Sequence, residues 1–257
     1  MPLTLDERLQ YDRLIAEAVR RSTSRFSTFF ADSGPLARTG YLKHLDFFAA
    51  GKKFKERLFM AANRVGKSEA GAYELTCHLT GLYPDWWEGR RFETPVECWA
   101  VGTNSQTTRD IVQAKLLGSV QMPGTGMVPG HLIVSTISSR GLPGALEGAV
   151  IRHASGGTSL LGLKTYEQGR QSFEGTSKDV IWCDEEPPAS CYTEMLYRTV
   201  TTKGIVMVTF TPLQGMSDVV KGFLEPETDI AADFKTFIQA GWKDVPHLDA
   251  EEQRALM

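Results

Sequence analysis

An α/β fold with a mainly parallel sheet is what this 257-residue sequence predicts, and three observations predict it. Short apolar runs of strand length alternate along the chain with stretches of helical periodicity. The tripeptide Gly66-Lys67-Ser68 stands between one such run and one such stretch. A second run, Val180 to Cys183, ends in the carboxylates Asp184, Glu185 and Glu186.

The first segment reads as a helix. Thr4 and Glu7 have capping-box spacing, and Leu5, Leu9, Leu14, Ile15, Ala18 and Val19 recur on one face. Arg8, Arg13, Arg20 and Arg21 fall opposite, as a solvated surface or as a contact with DNA or a neighbouring subunit. Ser33-Gly34-Pro35 breaks the pattern. Tyr41 to Ala50 is a second helix, followed by a basic loop with Lys52, Lys53 and Lys55. Arg57 to Ala61 reads as a buried strand, and Glu69 to Leu79 as the helix after Gly66-Lys67-Ser68. Val96 to Gly102 is the next strand and leads into a helix running to about Leu117. Residues 118–148 are rich in Gly and Pro and show little pattern. Val150 to His153 and Ser159 to Lys164 read as a hairpin around Gly156-Gly157. Val180 to Cys183, Ile205 to Phe210 and Phe234 to Ile238 complete the strands. Asp249 and Glu252 form a second capping-box signal just before Met257, so the natural protein is expected to continue further.

Composition narrows the function. Hydrophobic residues make up 42% and charged residues 23%, values ordinary for a soluble globular protein. The formal net charge of −3 does not mark a basic nucleic-acid binder, although a local basic strip would suffice for one. The four cysteines form no C-x-x-C pair and read as reduced, buried thiols; the five histidines are scattered and suggest no metal site. No segment approaches ~18 consecutive apolar residues. Asp6 and Glu7 replace the apolar core of a secretory signal. A cytoplasmic protein is expected.

The stretch Ala61-Ala62-Asn63-Arg64-Val65-Gly66-Lys67-Ser68 fits the phosphate loop G-x-x-x-x-G-K-[ST] (Walker A) except at its first position, where Ala61 replaces glycine. The final tripeptide alone arises by chance in roughly one chain in seven of this length. Its place between strand and helix gives it meaning, because backbone N–H groups there can surround phosphates. ATP and Mg²⁺ are the expected ligands. Ala62, Asn63, Arg64, Val65 and Gly66 would line the phosphates, Lys67 would reach the β- and γ-phosphates, and Ser68 would hold the metal. Arg64 adds a second cation that contacts the γ-phosphate or a loop carboxylate, or is simply exposed.

The Val180 strand supplies the second part (Walker B). Its apolar run buries the strand, so the carboxylates emerge at its C-terminal end, where open α/β sheets bind ligands. Asp184 would hold Mg²⁺ and Glu185 would orient and polarise the attacking water. More than 100 residues separate Lys67 from Asp184, which leaves room for intervening strands and favours a hydrolysing motor over a small kinase. Thr209-Phe210-Thr211-Pro212 ends the next strand, where a hydroxyl could sense the γ-phosphate; Thr211 is the candidate ligand. Tyr41, Phe47 and Phe48 could pack on a base or belong to the core.

Taken together, Ala62 to Ser68, Trp182-Cys183-Asp184-Glu185-Glu186-Pro187-Pro188 and Thr209 to Pro212 resemble the ATPase part of large terminase subunits, the DNA-packaging motors of tailed bacteriophages. Trp242 to Leu248 is similar to that family's stretch between ATPase and nuclease. The resemblance implies a P-loop NTPase of the additional-strand, RecA-like type with a small C-terminal lid or linker region. It divides the chain into an N-terminal helical segment (1–40), an ATPase core (41–225) and a lid/linker region (226–257) before a metal-dependent nuclease domain. It implies double-stranded DNA, portal protein and small terminase subunit as partners, a homo-oligomeric ring on the capsid, a monomer in isolation, and the infected bacterial cytoplasm as the location. An arginine from a neighbouring subunit would complete each site, with Arg170 the first candidate and Arg140 and Arg152 alternatives. Where the family places an adenine-reading glutamine, this sequence has Lys43 and His44. Phosphate-backbone contacts would fall to Lys52, Lys53, Lys55, Arg90 and Arg91. A helicase-like ATPase and a nucleotide-dependent switch or kinase are the competing expectations.

Overall fold

The computed structural model describes residues 24–212, 217–226 and 228–255, together with 8, 10–12, 14 and 15. The helix expected from Thr4 to Arg21 lies largely outside the described residues.

Eight strands form one sheet. In chain order they are β1 (Glu56–Ala61), β2 (Glu97–Gly102), β3 (Ile133–Ser138), β4 (Leu146–Arg152), β5 (Thr158–Thr165), β6 (Val180–Asp184), β7 (Ile205–Phe210) and β8 (Lys235–Ala240). Their spatial order is β8-β1-β7-β6-β2-β5-β4-β3. The pairings from β8 to β5 are all parallel. β4 and β3 add an antiparallel edge. β7 therefore stands between β1 and β6, the additional-strand arrangement that the family resemblance implies. The β4–β5 hairpin turns through Gly156 and Gly157, both at positive φ, as their placement predicts.

The strand alternation gives the sheet two apolar faces. Phe59, Ala61, Trp182 and Met207 belong to one core, which is covered by α1 (Leu42–Ala50), α2 (Lys67–Thr80) and the helical run 105–117. Leu58, Met60, Ile181, Val206 and Val208 belong to the other, beneath α3 (Ala189–Val200) and α4 (Asp218–Leu224). Burying strands on both faces explains why they read as continuous apolar runs. The run 105–117 is wound as a π-helix over Thr108–Gln113, a departure from the single helix its periodicity suggests.

Under α2 lies a wholly buried charge network. Arg57 Nη2 bonds Glu74 Oε1 at 2.6 Å, Arg57 Nη1 donates to the Phe47 carbonyl at 2.7 Å, and His78 Nε2 lies 3.3 Å from the same Glu74 oxygen. Burial raises the Glu74 carboxyl, but Arg57 and His78 outweigh it and hold it below its ordinary value. Phe47 and Phe48 are buried in this region, so the core reading holds for them and base stacking does not.

Candidate functional site

The carboxyl ends of β1, β7 and β6, three adjacent parallel strands, lie side by side, and the expected phosphate loop follows β1 there. Gly66 has φ 90° and caps α2 from the left-handed region. A glycine takes that conformation without the strain a side chain would add. The helix starts at Lys67, so its free N–H groups face the loop. Arg64 also has positive φ, 69°, without the glycine's licence.

Lys67 is buried and its ammonium lies 3.6 Å from Glu185 Oε1. Glu185 follows β6 in a left-handed conformation, φ 70°, and its carboxylate is 44% exposed. Its backbone is held on both sides: its N–H donates to the Thr209 carbonyl at 2.8 Å, and its carbonyl accepts from Tyr166 Oη at 2.8 Å. Strain of this kind persists only where surrounding bonds over-determine it. Here it turns Glu185 out of the strand and toward the loop.

Asp184 is buried and bonded to the Ser68 hydroxyl and to Thr209 Oγ1, the latter at 3.0 Å. Burial pushes its carboxyl up to about 6, against those hydrogen bonds. A hydroxyl and a carboxylate make an oxygen donor pair suited to Mg²⁺ beside phosphates, and a carboxylate so poorly solvated gains by facing a cation. Thr209 is fully buried and accepts from the Trp182 indole N–H at 2.9 Å. It orients Asp184 and does not face a phosphate. Thr211 is the threonine that borders the loop, with its hydroxyl 3.1 Å from Asn63 Oδ1.

Beside Gly66, Lys67 and Ser68 opens a cavity of about 570 Å³, also lined by Tyr41, His44, Arg64, Lys115, His247 and Glu252. Small-molecule ligand sites have volumes of this order. The structure thus brings Arg64, Gly66, Lys67 and Ser68 to one cavity, with Asp184 and Glu185 behind them. Among the described residues the Arg64 guanidinium has no hydrogen-bond or ion-pair partner, which leaves it available to a ligand. Arg170 is not among the cavity residues and pairs with Glu174 and Glu194 elsewhere. Glu186 accepts from Ser217 Oγ.

Sequence reasoning did not single out Tyr166, Trp182 or the pairing of Trp242 and His247 with the loop. Tyr166 follows a parallel strand at its carboxyl end, a place that carries ligands in such sheets. A buried indole N–H needs a partner, which is the signal at Trp182.

The family described as "Terminase large subunit, T4likevirus-type, N-terminal" matches residues 58–256. The terminase large subunit of Salmonella phage P22 is 38% identical over 205 residues, which covers 72% of this chain and 41% of that protein. The chain therefore spans about two-fifths of that relative's length. The large terminase of thermophilic bacteriophage D6E, solved with ADP, is similar at a TM-score of 0.57 and 13% identity, covering 84% of this chain and 48% of that one. The large terminase ATPase domain of Thermus phage P74-26 aligns at a TM-score of 0.46 and 16% identity, over 73% of this chain and 76% of that one.

Proposed function

This chain belongs to the N-terminal, T4likevirus-type family of terminase large subunits, and from that premise we propose that it hydrolyses ATP to drive double-stranded viral DNA into a preformed capsid. The observation that carries the proposal is the meeting of Lys67 and Glu185, 3.6 Å apart, beside the Ser68–Asp184 pair.

The roles follow from chemistry. Lys67 and the loop amides bind the β- and γ-phosphates, and Arg64 contributes its guanidinium to the γ-phosphate. Ser68 and Asp184 hold Mg²⁺. When bound, Mg²⁺ neutralises charge on the phosphate oxygens. Glu185 accepts a hydrogen bond from the attacking water and takes its proton as oxygen bonds to the γ-phosphorus and the bond to ADP breaks. Before nucleotide arrives, Lys67 neutralises Glu185. Phosphate competes for the lysine and so releases the carboxylate for its work. Thr211, bonded to Asn63, ties the end of β7 to the loop and can report phosphate occupancy to that strand.

On this reading residues 1–40 are an N-terminal segment, 41–225 the ATPase core and 226–257 a lid and linker that also lends β8 to the core sheet. Lys52, Lys53 and Lys55 precede β1 and Arg90 and Arg91 precede β2, so these DNA-contact candidates lie toward the end of the sheet remote from the nucleotide. Arg90 is partly engaged there, donating to the Lys203 carbonyl at 2.6 Å. Portal protein, small terminase subunit and a ring of copies in the host cytoplasm complete the proposed setting.

Two substitutions test the site. Glu185→Ala should lower ATP turnover by at least ~10²-fold while ATP still binds. Lys67→Ala should weaken ATP binding itself. ATPase assays with and without double-stranded DNA, beside fluorescent-nucleotide titrations, give both quantities. Surviving turnover in Glu185→Ala would remove that residue as the base.

A further inference from the structure

The C-terminal segment runs along the phosphate loop residue by residue. Ala62 N–H donates to the Ala240 carbonyl at 3.2 Å. The Trp242 indole N–H donates to the Asn63 carbonyl at 2.9 Å. His247 Nε2 lies 2.8 Å from the Arg64 carbonyl, and His44 Nε2 lies 3.1 Å from the Val65 carbonyl. A carbonyl only accepts, so both Nε2 atoms carry the proton. That assignment leaves His247 Nδ1 to accept from Tyr41 Oη at 2.9 Å, and the two rings stack with centroids 5.8 Å apart.

Three successive carbonyls are thus each held by a ring N–H. In a trans peptide the next residue's N–H points opposite to the carbonyl. Fixing the Asn63, Arg64 and Val65 carbonyls therefore fixes the Arg64, Val65 and Gly66 N–H directions. The Val65 N–H makes a long turn bond to Ala62, 3.4 Å, while among the described residues those of Arg64 and Gly66 have no acceptor. The two peptide planes held by Trp242 and His247 are also the planes on either side of the Arg64 Cα. Together they hold its left-handed φ of 69°, which relaxes unless constrained. The segment does not need these bonds to stay in place. β8 pairs with β1 over six residues, and Gln253 Nε2 donates to the Trp242 and Leu248 carbonyls at 3.3 and 2.9 Å.

We propose that Trp242, His247 and His44 are positioning residues that preset the phosphate loop, turning the Arg64 and Gly66 amides to face nucleotide phosphates. This rests on the nucleotide-binding reading above. Each bond acts through the loop, so its loss weakens phosphate binding; Trp242 does not line the cavity, and losing its donor leaves nucleoside binding as it was.

The test compares Trp242→Phe and His247→Phe, which keep a ring and lose the donor, with His247→Gln, which restores an amide N–H. Magnesium pyrophosphate, MgATP and adenosine are titrated calorimetrically, and nucleotide-free melting is followed in parallel. Each Phe variant should bind pyrophosphate and ATP about 3- to 10-fold more weakly. In Trp242→Phe, at a residue outside the cavity lining, adenosine binding and melting should not change, and His247→Gln should recover most of the loss seen in His247→Phe. Wild-type affinities in both Phe variants, or a loss confined to adenosine, would overturn the proposal. A wild-type protein that binds neither ATP nor pyrophosphate would instead defeat the nucleotide-binding reading itself. Should a Phe variant misfold, hydrogen exchange in the intact protein decides: segment 62–66 should be slowed by pyrophosphate alone, and unchanged exchange at saturation overturns the proposal.

Discussion

Burial pushes the Asp184 carboxyl up to about 6, against the Ser68 and Thr209 hydrogen bonds that pull it down. Its ordinary value is 3.8, so the folded chain takes this proton before the unfolded one, and the nucleotide-free protein gains stability as pH falls from about 6 to 3.8. His44 acts in the opposite sense. Burial lowers it from 6.5 to about 4, so the unfolded imidazole protonates first and stability is lost as pH falls across that window. Each effect is on the order of 3 kcal/mol, so the two nearly offset. Asp184→Asn removes one side of the balance. At pH 7.5 without nucleotide or metal it should melt at a higher temperature than wild type, lose stability more steeply between pH 6.5 and 4.5, and no longer be stabilised by Mg²⁺ with ADP. A lower melting temperature at pH 7.5 would show that burial of the charge is not the dominant cost. Among single residues, Lys67 and Ser68, and Asp184 and Glu185, could be picked out as candidates because local spacing within each of two chain segments marks them. Thr209 was not: the sequence puts a hydroxyl at the strand end, and only the register beside Asp184 shows that it faces inward. Trp242 and His247 meet the loop across 179 and 183 residues of chain, a distance no local pattern bridges.

Helix α2 joins the phosphate loop to the buried strands, and one of its residues inverts an ordinary rule. Gly71 lies in the helix interior, where alanine normally stabilises by roughly 0.5–1 kcal/mol. A Cβ placed there would meet Trp182 Nε1 at 2.2 Å. Gly71 therefore leaves the space that the indole occupies on its way to Thr209. Gly71→Ala should destabilise by about 1–3 kcal/mol through overpacking, read as a lower midpoint in urea unfolding. It should also weaken Mg²⁺-dependent nucleotide binding, since the indole supports Asp184 through Thr209. A stabilised variant would mean the helix shifts without cost. The strands of the parallel sheet were legible because burial on both faces leaves continuous apolar runs. β3 was not, because Val134 and Ile137 on this edge strand are half exposed and sit among small polar residues. α3 was hidden behind Pro187-Pro188, and its buried positions are few, chiefly Cys191, Tyr192 and Met195.

For the whole molecule, the mainly parallel sheet was foreseeable from alternating apolar runs and helical stretches, and the place of β7 between β1 and β6 from the resemblance to large terminase subunits. Arg170 raises a question that only several copies can answer. Its guanidinium is 59% exposed and pairs with Glu174 at 3.1 Å and Glu194 at 3.6 Å. The Glu174 pair is exposed and holds the arginine weakly, and the buried Glu194 is already paired with Arg198 at 2.8 Å, so Arg170 can exchange partners with a neighbouring molecule. If it serves a neighbour's site, the specific ATPase rate should rise with protein concentration. Arg170→Ala should lose that rise but keep its ATP affinity, and mixing it with Glu185→Ala should restore part of the activity. A specific rate independent of concentration would count against assistance in trans. The pairing of β1 with β8 also bears on how the protein is made. About 180 residues separate the two strands, so at ~5–20 residues per second roughly 10–40 s pass between their synthesis. Throughout that interval one edge of β1 is an unpaired template, and the Trp242 and His247 donors do not yet exist. The nascent chain spends those seconds at its greatest risk of edge-to-edge association.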